Sequence, residues 1–356
     1  MAKFKLKDFA KDISVAIKDA QSSPLKRFVG LEHYDSGEPV ITRFTDTSLI
    51  SSAVKEFKEN DILIARRNVY LRRAGIAFFS GLTSGDSIIL RIYDDCEEKT
   101  GIPKEDAIKI LPFILNSNDF WNYANKHADG MNSKRISKDM LYDYEFDLPS
   151  LTEQRVIADK LWAAYRLKES YKKLLAATDE MVKSRFIEMF GNLKQDTPWS
   201  EVVTITNGKA YPEEYQDEGT YPICGSGGIM YYGEKKLCNG NTIILGRKGN
   251  INSPIFMESD YWIVDTAFSL DVYKEKLNPR FFYFWCCQYD FTKLNKQGVL
   301  PSLTRKDLEK VEMAVPPMGQ QKQFVSIAEQ ADKSKFELRE SIKSIDKVIK
   351  SLINII

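Results

Sequence analysis

Residues 151–191 read LTEQRVIADKLWAAYRLKESYKKLLAATDEMVKSRFIEMFG. Within them Ile157, Leu161, Ala164, Lys168, Tyr171, Leu175, Thr178 and Val182 follow one another at steps of four and three. That spacing draws one narrow, mostly apolar stripe down a helix, a heptad seam. So thin a stripe does not build an ordinary globular core; it suits a partner helix of the same kind. The chain supplies that partner. Phe324, Ala328, Ala331, Lys335, Leu338, Ile342, Ile345 and Ile349 repeat the seam at a constant shift of 167 residues, from Ile157 to Phe324 and from Val182 to Ile349, and Leu352 and Ile356 extend it. Even the interrupting lysine recurs, Lys168 as Lys335.

The shift holds upstream of the helices. Ile136-Ser137-Lys138 aligns with Leu303-Thr304-Arg305, Leu148-Pro149-Ser150-Leu151 with Val315-Pro316-Pro317-Met318, and Gln154-Arg155 with Gln321-Lys322. The chain is two copies of one plan: a globular stretch, a short apolar strand ending in proline, then a long helix. A unit this long is not a solenoid repeat. The expected fold is α+β, with globular α/β domains at 1–150 and 192–315 and long helices at 151–191 and 316–356. The helices are expected to pair as an antiparallel coiled coil within a pseudo-two-fold internal repeat, since that direction puts the domains at opposite ends. A helix of about 39 residues is a rod of ~58 Å, longer than one DNA turn of ~34 Å.

Composition narrows the function. The chain has 356 residues, 43% hydrophobic and 28% charged, enough for more than one packed domain. Its formal net charge is only +1, so any basic footprint is local. The five cysteines form no C-x-x-C pair and there are two histidines, which speaks against a zinc site. An odd cysteine count with no signal-peptide pattern fits a reducing cytoplasm. No apolar run approaches the ~18 residues of a membrane span.

In chain order, strands are expected at Leu25 to Leu31, Asp61 to Ala65, Gly75 to Phe79 and Ser87 to Tyr93. Pro103 opens a helix through Leu115, and Asn118 caps another through Ala128. A short helical turn follows Ser137, and a strand from Tyr144 to Leu148 stops at Pro149. In the second half, strands are expected at Gly240 to Leu245, Tyr261 to Val264 and Ala267 to Tyr273. Asn278-Pro279 starts an apolar helix to about Gln288.

The chemistry follows one strand in each half. After 61–65 come Arg66, Arg67, Asn68, Arg72 and Arg73, with Tyr70 among them. Arginine offers a planar fork to guanine O6/N7 or to phosphate, and asparagine can pair with adenine. After 240–245 come Gly246-Arg247-Lys248-Gly249-Asn250, whose glycines let backbone approach phosphate. A strand followed by Arg, a second cation and Asn thus occurs twice. A solvated charged loop would read the same way at either place alone; the recurrence favours a reading loop. Lys134 and Arg135, beside Gly130 and Asn132, form a second cationic pair that ordinary surface charge also explains. Lys293, Lys296, Gln297, Arg305 and Lys306 scatter further charge before the second long helix.

Enzyme readings lack their parts. There is no Gly-x-x-x-x-Gly-Lys-Ser/Thr loop for ATP. Gly225-Ser226-Gly227-Gly228 lacks the G-x-G-x-x-G spacing and reads as a tight loop. Asn278-Pro279-Arg280-Phe281 lacks the second proline of an amino-methyltransferase motif, and Pro316-Pro317 lacks its leading Asn or Asp. The acidic runs Glu213-Glu214, Asp94-Asp95 and Glu97-Glu98 read as solvated loops.

The alternation of two α/β domains with two similar helices resembles the specificity (S) subunit of type I restriction–modification systems, over nearly the whole chain. Leu148-Pro149-Ser150-Leu151-Thr152-Glu153-Gln154-Arg155 and Val315-Pro316-Pro317-Met318-Gly319-Gln320-Gln321-Lys322 are similar to the P-P-L-x-E-Q run that leads into that family's conserved helices. Ser150 departs from the pattern in the first copy, and Gly319-Gln320 in the second. The stretches 57–66 and 244–249 add to the likeness. The resemblance implies two target recognition domains reading the halves of a split, asymmetric site in double-stranded DNA. It implies a non-catalytic chain that docks two methyltransferase subunits, with restriction subunits in the full complex. S-adenosylmethionine and ATP/Mg would then belong to those partners, with no cofactor or metal on this chain. The S protein of a type IIB-like system and an orphan DNA-binding regulator share these features. A coiled-coil protein adaptor accounts for the helices but not for the paired basic loops, and a fused methyltransferase lacks its motif. If the helices act as a ruler, inserting one heptad into both changes the preferred spacer between half-sites; an unchanged spacer in the methylated motif refutes this.

Overall fold

The computed structural model describes residues 2–131, 133–212, 214–294 and 302–355. Asn132, Glu213, Lys296, Gln297 and Ile356, named above, lie outside the described residues. The chain divides into two compact units, Met1–Lys172 with Glu340–Ile356, and Lys173–Arg339. Both cuts fall inside the long helices, Leu151–Phe190 and Met318–Ile353. Each unit therefore contains part of each helix.

In unit 1 the organising strand is Ile62–Ala65, four apolar residues all buried. A run of this kind with no polar alternation is buried on both faces. Ile62 and Ile64 face one core with Leu90, Leu111, Phe113, Trp121 and Leu161. Leu63 and Ala65 face another with Val29, Phe57 and Ile89. The strand pairs antiparallel with Ser87–Ile92 and with Ala74–Ile76, and Ala10–Asp12 completes a four-stranded sheet. The helices Lys104–Ile114 and Asn118–Lys126 contribute to the first core. Ser117, not Asn118, caps the second of them, its hydroxyl accepting from Phe120 N–H at 3.0 Å. A second sheet of five strands runs Val15–Ile17, Val54–Phe57, Gly81–Ser84, Arg27–Val29, Thr45–Asp46.

Unit 2 repeats the first sheet and not the second. Thr242–Gly246 pairs antiparallel with Ala267–Val272 and Ile255–Met257, and Val203–Asn207 adds the outer strand. Ile243 and Leu245 face a core with Trp199, Phe281, Phe282 and Phe324, while Ile244 faces Cys224, Tyr261 and Ile263. The helix Pro279–Gln288 contributes to the larger core, its start capped by Asn278. The second sheet has three strands, Gly228–Gly233, Tyr221–Gly225 and Trp262–Ile263. Gly225 to Gly228 closes the hairpin between two of them, the tight loop its composition indicated.

The seam residues turn inward in both units. Ile157, Leu161 and Val182 are buried, as is Phe324, and Tyr171, Leu175, Leu338, Ile342, Ile345 and Ile349 are half-buried. Tyr165, Phe186 and Phe190 are buried beside them. Within unit 2 the helix segments run antiparallel: Asp179 pairs with Lys335 at 2.8 Å, and Phe186, further along one helix, packs on Phe324, further back on the other, with ring centroids 5.2 Å apart. Within unit 1 Lys168 Nζ lies 2.7 Å from both Glu38 and Asp346.

The glutamine before each helix does the same work twice. Gln154 Nε2 donates to Pro149 O at 2.9 Å, and Gln321 Nε2 to Pro316 O at 2.7 Å. Gln321 is fully buried and also bonds Lys276 O and Asn278 N–H, whereas the buried Gln154 Oε1 has no partner. Gln321→Ala strands three polar groups, one buried and two partly buried, and Gln154→Ala one that is partly buried. We expect losses of about 3 and about 1 kcal/mol, from ~1–3 kcal/mol per group, measured by urea unfolding with hydrogen exchange at the Asn278 amide reporting unit 2.

Candidate nucleic-acid interface

A strand buried on both faces cannot hold charge, so the first residues able to carry it lie where the strand leaves the sheet. In unit 1 that is Arg66. Its N–H donates to Asp86 O at 3.1 Å and its carbonyl accepts from Ile136 N–H at 3.0 Å. In unit 2 it is Arg247, whose N–H donates to Thr266 O at 2.8 Å and whose carbonyl accepts from Leu303 N–H at 2.9 Å. Ile136 and Leu303 are repeat counterparts. The bridges one residue further, Arg67 to Arg135 and Lys248 to Ser302, also correspond. The two basic loops therefore occupy equivalent backbone positions.

Their side chains differ. In unit 1, Arg66 Nε and Arg67 Nη1 both reach the carboxylate of Asp86, at 3.4 and 3.0 Å, and both arginines stay half-exposed. Burial pushes the Asp86 carboxyl up, but the hydrogen bond and charge of Arg67, with those of Arg66, outweigh it and hold it below the usual range. Behind this group Lys55 donates to Ser87 O at 2.9 Å, and burial pushes its amine down. Asn68 and Arg72 sit at φ 52° and 51°, left-handed positions uncommon outside glycine. They bracket a turn that leaves Tyr70 62% exposed. Asn68 Oδ1 accepts from Ser133 Oγ at 3.1 Å, and Arg72 Nη1 donates to Asn118 Oδ1 at 2.8 Å. Arg73 donates to Leu31 O and Arg67 O at 2.9 and 3.0 Å, and burial lowers its pKa. Its role here is to hold the loop. Lys134 and Arg135 are exposed on the strip bonded to Asn68 N–H and Arg66 O.

In unit 2, Arg247 lies over the Phe268 ring at 5.9 Å. Neither Arg247 nor Lys248 makes an ion pair among the described residues, and Lys248 is exposed. Asn250 Nδ2 reaches Ser226 O at 3.5 Å, and Ser226 N–H donates to Thr266 Oγ1 at 3.4 Å, so the glycine hairpin lies beside the loop. Gly249, at φ 73°, supplies the turn. Arg305 stands apart, paired with Glu309 at 2.7 Å on its own short helix.

The structure thus gathers Arg66, Arg67, Asn68, Lys134 and Arg135 into one surface and Arg247, Lys248 and Asn250 into another, each within its own unit. Sequence reading missed Asp86 and Thr266. Only the hairpin register, Ala65 opposite Ser87 and Gly246 opposite Ala267, brings them to the arginines. Among the described residues no cluster of His, Cys, Asp and Glu could hold a metal, and no helix is long and apolar enough to cross a membrane.

Residues 195–346 match the family described as the type I restriction modification DNA specificity domain. No curated protein matches the chain. Solved structures resemble it along almost its full length, two of them as follows. One is the S subunit of a type I restriction–modification system from M. genitalium, with 14% identity and a TM-score of 0.61, covering 99% of this chain and 94% of that one. The other is a chain from a study of complex assembly and conformational transition of the type I system, with 17% identity and a TM-score of 0.58, covering 99% and 96%. The chain is thus similar to the type I restriction modification DNA specificity domain over residues 195–346, and along its length it has the fold of the solved type I S subunit.

Proposed function

We propose that this chain is the non-catalytic, DNA-reading specificity subunit of a type I restriction–modification complex. Each unit reads one half of a bipartite, asymmetric site. The observation that carries this reading is the pair of basic loops at equivalent backbone positions, Arg66-Arg67 and Arg247-Lys248, set in otherwise different surroundings. One frame with two unlike faces suits a ligand whose two halves differ in sequence. Double-stranded DNA has that property, and arginine forks suit its guanine edges and phosphates.

Methyltransferase subunits are the proposed protein partners, with restriction subunits joining the full complex and S-adenosylmethionine and ATP/Mg bound by those partners. Support comes from the first long helix. Besides the inward seam it carries Ala163, Leu167, Ser170, Leu174, Ala177, Met181 and Ser184, again at steps of four and three. Leu167, Leu174 and Met181 are about half exposed, at 45, 50 and 47%. A second heptad seam open to solvent suits another helix. A type IIB-like S protein or an orphan regulator would share the DNA loops, and a protein-only adaptor would show no salt-dependent DNA binding.

Co-expression with its cognate methyltransferase, followed by methylation-sensitive sequencing, should yield a split adenine-methylated motif that disappears when this chain is deleted. Methylation that survives the deletion rejects the assignment. Arg66→Ala should relax one half of the motif and Arg247→Ala the other, by ~1–3 kcal/mol each; equal weakening of both halves by either variant assigns that arginine to phosphate. Leu174→Glu should abolish co-elution with the methyltransferase while DNA binding by the chain persists.

A further inference from the structure

Asp86 and Thr266 hold the same place in the two units, the residue whose carbonyl accepts from the N–H of the first loop arginine. One is an acid that two arginines grip, and the other is a hydroxyl occupied by Ser226 N–H. Asp265, one residue before Thr266, is exposed and pairs with neither Arg247 nor Lys248 among the described residues. Resting on the DNA-reading function above, we propose that Asp86 is a positioning residue for base discrimination in unit 1, ordering Arg66 and Arg67 before DNA arrives. Unit 2 has a hydroxyl at that place, so its arginine is not ordered by a carboxylate there.

The chemistry follows from which nitrogens are taken. Asp86 receives Arg66 through Nε, which leaves the Nη1–Nη2 edge of that guanidinium open among the described residues. That edge is the fork that pairs with guanine O6 and N7. Arg67 is held through Nη1, and its backbone is fixed by Arg73 Nη2 on its carbonyl. A long side chain loses rotamer freedom when it is ordered. A carboxylate that orders it beforehand reduces the loss on binding. The same carboxylate also offsets part of the attraction between each arginine and any phosphate, which carries no sequence information. Arg247 lies over an aromatic face at 5.9 Å and, among the described residues, has no carboxylate to order it.

The test uses the full chain and a pool of random-sequence duplex DNA, with affinity measured over a salt series and the bound fraction sequenced. The half-motif that Arg66→Ala weakens marks unit 1. In Asp86→Asn the tether keeps an acceptor but loses its charge, and Asp86→Thr carries the residue that unit 2 already tolerates there. Both variants should bind unselected DNA more tightly, with a log–log salt slope steeper by roughly 1–2, from ~0.9 per freed cation. Both should lose roughly ten-fold discrimination in the unit 1 half-motif, with the other half unchanged. An unchanged slope and an intact half-motif overturn the proposal and leave Asp86 a turn residue. Equal loss in both half-motifs overturns it as well, because the effect is then not local to unit 1. If the wild-type chain itself shows no salt-dependent DNA binding, the DNA-reading function fails first, a result distinct from either.

Discussion

A lysine in an apolar helix seam has to find a carboxylate, and that requirement fixes the register of everything attached to the helices. Lys168 is 8% exposed, and Lys335 stands at the corresponding place of the second copy. Burying an ammonium without a counter-ion costs several kcal/mol, whereas a slip of one helix turn would leave each lysine facing an apolar or cationic neighbour. Lys168 meets Asp346 and Lys335 meets Asp179. The two acids are themselves counterparts under the shift of 167 residues, so one contact is made once in each unit. Buried polar groups of this kind specify which alignment of a coiled coil is stable. In unit 1 the amine is also held by Glu38, which Lys172 grips from the next turn. Gly37 N–H donates to Arg72 O, so the register set in the seam extends into the basic loop.

The second constraint is the strand buried on both faces. Ile62–Ala65 and Thr242–Gly246 leave no room for a charged side chain. Charge therefore first becomes affordable at Arg66 and Arg247, and the segment before each long helix bonds the carbonyl of that same residue. Two loops that share only an Arg, a second cation and an Asn hold equivalent places in their own units because backbone hydrogen bonds and burial put them there.

These constraints explain what the sequence made legible. The seam, the repeat and the buried strands announce themselves through local spacing, and the helices formed where periodicity, Pro103 and Asn278 indicated. The second sheets announced themselves only in part. Arg27–Val29 and Trp262–Ile263 lie within expected strands, whereas Val15–Ile17 and Thr45–Asp46 are too short for a pattern. The basic cluster was legible as a set but not residue by residue. Arg66 and Arg73 look alike in sequence, yet Arg73 closes on two carbonyls while Arg66 remains half-exposed, because the turn between them reverses the chain at Asn68 and Arg72. Asp86 was invisible to any local reading, since only strand pairing makes it a neighbour. The second heptad run at Leu167, Leu174 and Met181 was present in the spacing all along. Burial alone distinguishes it from the inward seam.

What repeats and what differs then separate along a physical line. The seam lysines, the glutamine bonded to a proline carbonyl and the exit of the central strand repeat with near-identical bonds. The five- and three-stranded second sheets, the glycines of the unit 2 loop and the acid or hydroxyl beneath the arginines do not. A chain selected only for stability would have no reason to keep one set alike and let the other diverge. The proposed function, in which the same helices are offered to identical partners and two unlike basic faces to an asymmetric duplex, needs that division: the helices would be recognised twice by one surface, while the two loops would read different bases.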